Sequence, residues 1–431
     1  MRHRFPSAPA APAYLSQHWW FEKARNIEEQ SDHPPKTHCG SQPGRLPAWA
    51  TEMSPSVSDP PFPANITLVV NHLVDGGAAR VVAHLSQAWT EMGRRVTILT
   101  MDDGKRPAIY ALHPGVVHLP LDLEERSGNL LTAALRNLYR VIRLRRAIRA
   151  TRADLLVSFL DSGNIKCLLA TRSLPRLPII ILERTDPHGR SIGRVWEGLR
   201  RLTYPWADCL VTQTRHAMDY FPARVRAKGR IIPNPVVRPS AGDPPSQPGD
   251  RHVIITLGRL QKVKGHDQLI DAFQLIAARF PDWDIHIHGD GPEQKALDTQ
   301  IRDSGLAGRV IIGKTTTEVG NCLREADLFV LPSRVEGFPN ALAEAMAWGL
   351  PVISFDCASG PADLIRHDLD GLLVPPGDVP ALAQAMARLM SDPAERARLA
   401  ARAPEVLTRF SRAMVLELWE TAIQSARTDR S

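Results

Sequence analysis

The chain has 431 residues, 43% of them hydrophobic and 23% charged, which is typical of a soluble globular protein with two or three domains. Its five cysteines are scattered without a CxxC pair, so the composition argues against a disulfide framework and against a zinc site. The formal net charge of +7 suits a protein that meets phosphates or anionic lipid, but no basic-aromatic platform or zinc-finger spacing accompanies it, so nucleic acid is not an expected partner.

Residues 1–60 form a leader that is rich in proline, serine and alanine and lacks hydrophobic periodicity. Such a segment buries too little apolar area to offset its ordering entropy, so we expect it to be disordered. Translation from Met53, just before the first predicted strand, is the alternative, and the sequence assigns the leader no role. The chain contains no good signal peptide and no apolar run of the ~20 residues that span a bilayer, which predicts a cytoplasmic protein.

From Asn65 onward, apolar runs alternate with helical patterns, of which the first is a helix over 77–92. The strands of this first series are predicted at 66–72, 95–101, 154–160, 178–182 and 208–212. The proline-rich segment 238–251 is the clearest linker, and a second alternating series follows it to about Val374 before a helical end over 378–425. Alternation of this kind is typical of parallel sheets wrapped by helices through right-handed crossovers.

The segment 136–152 carries seven arginines and no acidic residue. Val141, Leu144 and Ile148 form one apolar arc of a helix, and most of the arginines fall off that arc. Two interpretations stay open. The basic face docks on an anionic membrane and delivers the protein to a lipid-linked partner, or the segment is an ordinary amphipathic helix with a solvated basic face.

Two glutamates of the second series stand eight positions apart around a predicted helix start. The apolar run 327–331 predicts a buried strand, and a turn at Gly337 leads into a helix over 340–348. Glu336 then lies at the loop mouth and Glu344 about one helical turn inside. Because a helix N-terminus attracts anions, this pattern favours a nucleotide sugar, whereas a capping residue and a solvated helix residue are the alternatives for each glutamate alone.

Two cations follow another predicted strand of the second series. Arg259 and Lys264 come at the carboxyl end of that strand, where open parallel sheets bind ligands. A third loop, 288–292, follows the next strand, and its Gly289 and Gly291 allow close backbone approach to a ligand. Surface salt bridges are the alternative for the two cations.

These segments, in this order, resemble the retaining glycosyltransferases of family 4 over about residues 64–425. The motifs that carry the resemblance are Ile232-Pro233-Asn234-Pro235, Gly258-Arg259…Lys264-Gly265, Gly289-Asp290-Gly291-Pro292, the glutamate pair, Gly349-Leu350-Pro351-Val352 and Gly371-Leu372-Leu373-Val374. The resemblance implies an α/β protein of GT-B architecture, with two Rossmann-like parallel-sheet domains facing a central cleft. Its parts would be an acceptor domain at 61–237, a linker at 238–251, a donor-binding domain at 252–405 and a C-terminal helix at 406–431 that packs back onto the first domain.

For the donor site, the resemblance implies a catalytic set in the second domain. Arg259 and Lys264 would neutralise the departing diphosphate, and Glu336 would hold hydroxyls of the transferred sugar. Glu344 would hold the ribose of the nucleotide. Further donor contacts are expected from the turn Gly337, Phe338 and Pro339, the helix-start amides of Asn340, Ala341 and Leu342, the loop glycines Gly289 and Gly291, and Lys314 and Thr315 near the base.

In the first domain, Gly76 and Gly77 follow a strand and open a helix, but the stretch lacks the GxGxxG fingerprint of dinucleotide sites. By resemblance, this glycine pair lets the backbone approach the donor phosphate or the acceptor, and a structural tight turn is the alternative. Many relatives carry Glu just before Arg80, whereas Ala79 stands here, which leaves Arg80 without its neighbouring acid.

The strand end Ile181-Leu182-Glu183-Arg184-Thr185-Asp186-Pro187 is similar to the Ser-Glu-Arg-Asn-x-Pro stretch of relatives that use UDP-hexoses. The segment 359–365 matches another stretch of the same group, so the resemblance implies a UDP-linked sugar rather than GDP-mannose. Glu183, Arg184 and Arg80 are the expected acceptor contacts, with a buried ion pair as the alternative for Glu183 and Arg184.

We therefore expect a retaining, metal-independent hexosyltransferase that moves a hexose or N-acetylhexosamine from a UDP-sugar to a glycan or lipid-linked saccharide in cell-surface polysaccharide synthesis. No cofactor and no metal are expected, since His286 and His288 share a strand face without a third ligand at suitable spacing. The expected location is the cytoplasm, including the inner face of the membrane. Two alternatives stay open, a UDP-N-acetylglucosamine 2-epimerase and a non-catalytic nucleotide-sugar-binding subunit.

Overall fold

A computed structural model describes residues 63–74, 76–123, 130–174, 177–189, 191–240, 251–315 and 318–428, and of residues 76 and 130–134 it describes the backbone alone. The predicted leader at 1–60, with Met53, lies outside these residues, and so does most of the predicted linker.

The first sheet contains seven parallel strands within the described chain. They are β1 (Asn65–Val70), β2 (Arg95–Thr100), β3 (Val117–Pro120), β4 (Leu155–Phe159), β5 (Ile179–Leu182), β6 (Cys209–Thr212) and β7 (Gly229–Ile231), in the order β3-β2-β1-β4-β5-β6-β7. The helices between them are α1 (Gly76–Glu91), α2 (Leu130–Thr151), α3 (Asp161–Thr171), α4 (Arg194–Thr203), α5 (Arg215–Asp219) and α6 (Ala223–Arg226). Sequence periodicity missed β3 and β7 because both are short edge strands without a fully buried apolar run.

Six parallel strands form the second sheet among residues 251–315 and 318–428. They are β8 (His252–Leu257), β9 (Trp283–His288), β10 (Val310–Gly313), β11 (Leu328–Leu331), β12 (Val352–Phe355) and β13 (Leu372–Val374), in the order β10-β9-β8-β11-β12-β13. The helices of this half are α7 (His266–Gln274), α8 (Gln294–Asp303), α9 (Val319–Arg324), α10 (Asn340–Trp348), α11 (Pro361–Leu364), α12 (Val379–Ser391), α13 (Pro393–Arg402), α14 (Val406–Arg409) and α15 (Arg412–Thr428).

Both sheets are buried on two faces, which explains why their strands are nearly continuous apolar runs rather than alternating ones. β4 and β11, for example, are buried at every position. The predicted class, an α/β protein with two Rossmann-like parallel-sheet domains, is confirmed.

The last helix leaves the second domain and packs on the first. Val415, Trp419 and Ile423 of α15 belong to the same buried core as the strands of the first sheet. The Trp419 ring meets Trp89 of α1 edge-on at 5.8 Å between centroids. Next to this contact, Arg94 donates two hydrogen bonds to the Glu420 carboxylate at 2.8 and 2.6 Å. The expected return of the chain to the first domain is therefore confirmed.

The strand order reverses at one point in each sheet, between β1 and β4 and between β8 and β11. At such a point the connections on the two sides leave in opposite directions, so a crevice opens at the carboxyl ends of the strands. The loops after β1, β8 and β11, together with the helices that follow them, carry most of the predicted site residues.

The basic segment forms helix α2, as predicted, with Leu144 and Ile148 buried against the first sheet. Its outer surface combines exposed apolar and basic side chains. None of the described helices is both long and apolar enough to cross a membrane.

We predict that Trp419→Ala lowers the free energy of unfolding by about 3–5 kcal/mol, because it empties a buried indole site where α15 meets α1. Gln424→Ala, an exposed position of the same helix, should change it by less than about 0.5 kcal/mol. Urea unfolding followed by circular dichroism measures both. Equal small losses in the two variants would show that α15 contributes nothing to the first domain's core.

Candidate functional site

The loops after β8 and β11 bring a predicted cation to a predicted carboxylate. Lys264 Nζ lies 2.7 Å from Glu336 Oε1, and the Ser333 hydroxyl donates to the same oxygen at 2.6 Å. The Glu336 side chain is only 7% exposed. Both hydrogen bonds go to Oε1, so Oε2 of Glu336 is the oxygen left for a ligand hydroxyl. Arg259, in the same loop as Lys264, is exposed.

The glycines of the loop after β9 are required by a contact within the protein. A Cβ on Gly289 would overlap the carbonyl oxygen of Gly258, and one on Gly291 would overlap that of Leu260. The loop therefore lies directly on the backbone that follows β8. This contact explains both glycines without a ligand, and their role in donor binding stays a prediction.

The turn before α10 is wedged between two backbones. A Cβ on Gly337 would come within 2.5 Å of the Arg184 carbonyl oxygen of the first domain. On its other side, Gly360 has a φ of +100° and faces Pro339. α10 then spans Asn340–Trp348, as predicted, and ends at Gly349 in the left-handed region. Its N-terminal amides thus lie where the two domains meet.

The side chains at this turn are mostly core residues. Phe338 and Leu342 are 6% and 0% exposed and belong to one hydrophobic cluster, and Pro339 is also buried. Only the backbone of these residues can face a ligand, whereas Asn340 and Ala341 are half-buried.

Arg80 of α1 forms an ion pair with Glu344 of α10. The two side chains are 21% and 12% exposed, respectively. The sequence left Arg80 without an acidic neighbour on its own helix, because Ala79 stands before it. In the structure, Glu344 of the other domain is the acidic partner of Arg80. Glu344, predicted to contact the ribose, and Arg80, predicted to contact the acceptor, therefore form one ion pair.

Arg184 links three segments of the site. Its Nη1 donates to Asn234 Oδ1 at 3.0 Å, and its Nη2 donates to the Gly77 carbonyl oxygen at 3.1 Å. Asn234 Nδ2 in turn donates to Asn340 Oδ1 at 2.8 Å, across to the start of α10. The predicted Gly77, Arg184 and Asn340 are therefore brought together, and Asn234 is the connecting residue that sequence reasoning did not assign to the site.

The charge of Arg184 is not neutralised by these contacts, since both acceptors are neutral oxygens. Its Nε is buried and has no hydrogen-bond partner among the described residues. Burial lowers the pKa of Arg184 to about 10, so the guanidinium stays protonated at neutral pH.

A second bridge between the domains joins the Thr214 and Ser359 hydroxyls at 2.7 Å.

Glu183 is placed in the interior of the first domain rather than at the site surface. It is 2% exposed, accepts a hydrogen bond from the Tyr204 hydroxyl and lies 3.7 Å from the Arg200 guanidinium. Burial raises the pKa of Glu183 to about 7. Glu183 is therefore enclosed by Tyr204 and Arg200 of α4 rather than paired with Arg184, and its acceptor contact stays a prediction.

Lys314 and Thr315 follow β10 at the edge of the second sheet and are exposed. Two strands separate β10 from β11, so these residues lie apart from the cluster around Glu336. Gly76 opens α1 next to Gly77, as predicted. Donor contacts of Lys314, Thr315 and Gly76 stay predictions.

Two family models match the chain in succession. The model described as Glycosyltransferase Family 4 matches residues 75–237, and the model described as Glycosyl transferases group 1 matches residues 241–406. The first match covers most of the first sheet and the second match covers the second sheet.

Curated relatives are similar to this chain over different shares of their length. The chain is 31% identical over 293 residues to an exopolysaccharide phosphotransferase of Streptomyces coelicolor, which is 67% of this chain but 30% of that protein. It spans 41–42% of three further relatives. It is 26% identical over 359 residues to the GalNAc-α-(1→4)-GalNAc-α-(1→3)-diNAcBac-PP-undecaprenol α-1,4-N-acetyl-D-galactosaminyltransferase of Campylobacter jejuni, covering 82% of this chain and 96% of that protein.

Solved structures share the fold. The crystal structure of HepE from Anabaena in complex with UDP and glucose matches with a TM-score of 0.65 and 20% identity. The match covers 83% of this chain and 98% of HepE. At this identity the likeness establishes the fold alone.

We predict that Glu183 makes folding stability depend on pH. Because its folded pKa of about 7 is raised above the ordinary 4.5, its stabilising contribution is full below pH 4.5 and is lost as the pH rises to 7. Glu183→Gln removes the titrating carboxyl group, so the stability of this variant lacks that pH dependence. The free energy of unfolding of Glu183→Gln minus that of wild type should therefore rise with pH across that window, by up to about 1.4 kcal/mol per pH unit.

Urea unfolding between pH 4.5 and 8 measures this difference. Glu325→Gln removes one exposed carboxylate and serves as the control. It shows how the loss of a single carboxylate by itself changes the pH dependence of the free energy of unfolding. A wild-type to Glu183→Gln difference that stays constant across the window would show that Glu183 is ionised in the folded protein.

Proposed function

We propose that this chain, a glycosyltransferase of the GT-B fold, moves a hexose or N-acetylhexosamine from a UDP-sugar to a saccharide or lipid-linked saccharide, with retention at the anomeric carbon, in cell-surface polysaccharide synthesis. One observation carries the proposal: Lys264 bonds to Glu336 in the turn 336–340 at the start of α10, and Arg184 of the other domain is linked to Asn340 of the same turn through Asn234. The UDP and glucose in HepE and the acceptor of the Campylobacter relative support the choice of substrates.

The start of α10 is where the proposal places the diphosphate. As the sugar–phosphate bond breaks, negative charge grows on the leaving UDP, and preorganised donors stabilise it. The Asn340 N–H already donates to the Phe338 carbonyl oxygen at 2.9 Å, so the amides of Ala341 and Leu342 are the proposed donors, together with the partial positive charge of the helix start. Arg259 offers a two-pronged contact and Lys264 a compact charge, so these cations take the place that a divalent ion would otherwise have.

The two glutamates are proposed to hold hydroxyls of the donor. Glu336 is fixed through Oε1 by Lys264 and Ser333, which orients Oε2 toward a sugar hydroxyl, beside the backbone of Gly337 and Phe338. Glu344 is oriented by Arg80 and would accept from the ribose hydroxyls. In both cases a cation already compensates the carboxylate, so its burial is tolerated.

The reaction itself needs few further groups. The acceptor hydroxyl would approach the face of the sugar from which UDP departs, and the departing phosphate oxygen would take its proton. Arg184, which bonds to the Gly77 carbonyl oxygen, and the Gly77 backbone are the proposed contacts of the first domain for the acceptor or the donor phosphate. Contact of the domains through Thr214 and Ser359 would help to exclude water and suppress hydrolysis.

We predict that Lys264→Ala lowers kcat for sugar transfer by more than about 100-fold, the usual cost of losing one preorganised donor at a developing charge. Lys262→Ala is the matched control, because Lys262 lies two positions away, is 69% exposed and pairs with Asp267 instead. It should leave kcat within about threefold of wild type. Steady-state UDP release with a panel of UDP-sugars and saccharide acceptors measures both variants.

The same panel tests the reaction class. Transfer requires an acceptor, so UDP-sugars alone should give only slow hydrolysis and no epimerised nucleotide sugar. Turnover of a UDP-sugar to its epimer without acceptor would contradict the proposal, and so would a Lys264→Ala variant as active as Lys262→Ala.

A membrane contact through α2 is part of the proposed function, because a lipid-linked acceptor lies at a bilayer surface. Four exposed apolar residues follow one another along one helical stripe: Leu135, Leu138, Tyr139 and Ile142 are 66%, 57%, 54% and 41% exposed. Arg143, Arg146 and Arg149 continue the exposed surface toward the helix end, without any acidic residue. Apolar residues beside arginines match an anionic lipid surface on the cytoplasmic side.

We predict that the protein cosediments with vesicles containing phosphatidylglycerol but only weakly with pure phosphatidylcholine, and that salt weakens the binding. The double variant Leu135→Asp/Leu138→Asp should bind at least tenfold more weakly. Leu275→Asp replaces an equally exposed leucine, 61% exposed, in the second domain and should bind like wild type. No binding to either vesicle type, or binding of Leu135→Asp/Leu138→Asp as tight as that of wild type, would leave α2 as an ordinary solvated helix.

A further inference from the structure

Three metal-ligating side chains of the first domain lie together outside the groups used above. Asp186 and His188 stand in the loop after β5, and His216 stands in α5 after β6. β5 and β6 are neighbouring parallel strands, so their carboxyl-end loops meet. One ligand atom from each of the three side chains lies within 4.8 Å of the other two.

The contacts of Asp186 leave room for a cation. Its side chain is only 4% exposed. Oδ1 accepts a hydrogen bond from the His188 backbone N–H at 3.0 Å, whereas Oδ2 lies 3.6 Å from His216 Nε2, beyond an ordinary hydrogen bond. The two imidazole rings lie with their centroids 4.4 Å apart and their planes inclined at 37°. A buried carboxylate with one firm hydrogen bond favours a positive charge beside it.

We propose that Asp186, His188 and His216 bind a divalent cation of the Zn²⁺ type. Two imidazole nitrogens and one carboxylate oxygen are a common ligand set for zinc, with bonds of about 2.0–2.2 Å, and a fourth position remains for water. Calcium and magnesium prefer oxygen ligands throughout, so they fit less well. Tetrahedral bonds of that length separate ligand atoms by about 3.3 Å, so binding draws the three side chains closer together.

The ion would connect the loop after β5 to α5, and both segments face the second domain. Thr214, two residues before His216, bonds to Ser359, and the Cβ position of Gly189 lies 3.0 Å from a methyl carbon of Val335. Val335 directly precedes Glu336. The proposed ion therefore has a positioning role: it fixes the first-domain wall beside the donor loop and takes no part in sugar transfer.

A charge pair between protonated His216 and Asp186 is the competing explanation of the same geometry. The two explanations differ in their dependence on metal. A charge pair stabilises the protein equally with and without added ion, whereas a metal site makes the melting temperature rise with the free metal concentration.

The test uses the full chain after removal of bound metal with a chelator. Isothermal titration with Zn²⁺ and visible absorption with Co²⁺, which reports tetrahedral coordination, are measured for wild type, Asp186→Asn and His216→Gln. His288→Gln is the matched control, because His288 lies on β9 in the second domain with Cys322 Sγ 3.9 Å from its Nδ1. Circular dichroism checks that each variant is folded. Because the His216 side chain is half-exposed and that of Asp186 is buried, His216→Gln is expected to disturb the fold less than Asp186→Asn.

We expect wild type and His288→Gln to bind an ion that raises the melting temperature. Asp186→Asn and His216→Gln should each weaken this binding by more than tenfold, since even the loss of an outer contact to a ligand costs 10–100-fold. Three results would overturn the proposal: no saturable binding to wild type, unchanged affinity in Asp186→Asn and His216→Gln, or loss of binding in His288→Gln.

Discussion

The order of parallel strands is the constraint on which the site depends. Lys264 and Glu336 are 72 positions apart in the chain, yet they meet because they follow β8 and β11. These two parallel strands are neighbours at the point where the strand order of the second sheet reverses. In the first sheet, the reversal beside β1 places Gly77 at the corresponding edge. The two edges meet at the start of α10, so this turn collects groups from both domains.

Charge balance then separates the cations of the site into two kinds. Lys264 and Arg80 each neutralise one glutamate of the pair that frames α10. Arg184 bonds only to neutral oxygens, so its charge adds to the partial positive charge of the helix start. The surplus positive charge on this side of the turn favours an anionic ligand.

Local sequence signals predicted the elements well where the deciding residues are neighbours in the chain. α10 spans 340–348, as predicted, since Pro339 stands at its N-cap and Gly349 ends it in the left-handed region. The interpretation of Gly289 and Gly291 shows the limit of such signals. Their backbone freedom is plain from the sequence, but only the packed structure shows that they lie on the backbone after β8.

The sequence by itself determined the two-domain α/β class, the helix around the glutamate pair and the strand ends where cations stand, because each depends on periodicity or on nearby turn residues. Tertiary structure decided which charges pair, Arg80 with Glu344 and Lys264 with Glu336, and it buried Glu183 beside Tyr204 and Arg200 inside the first domain. It also brought His188 to His216, whereas the sequence had drawn attention to His286 and His288. Pairing depends on which strands are neighbours in a sheet, and strand order is not written in local sequence.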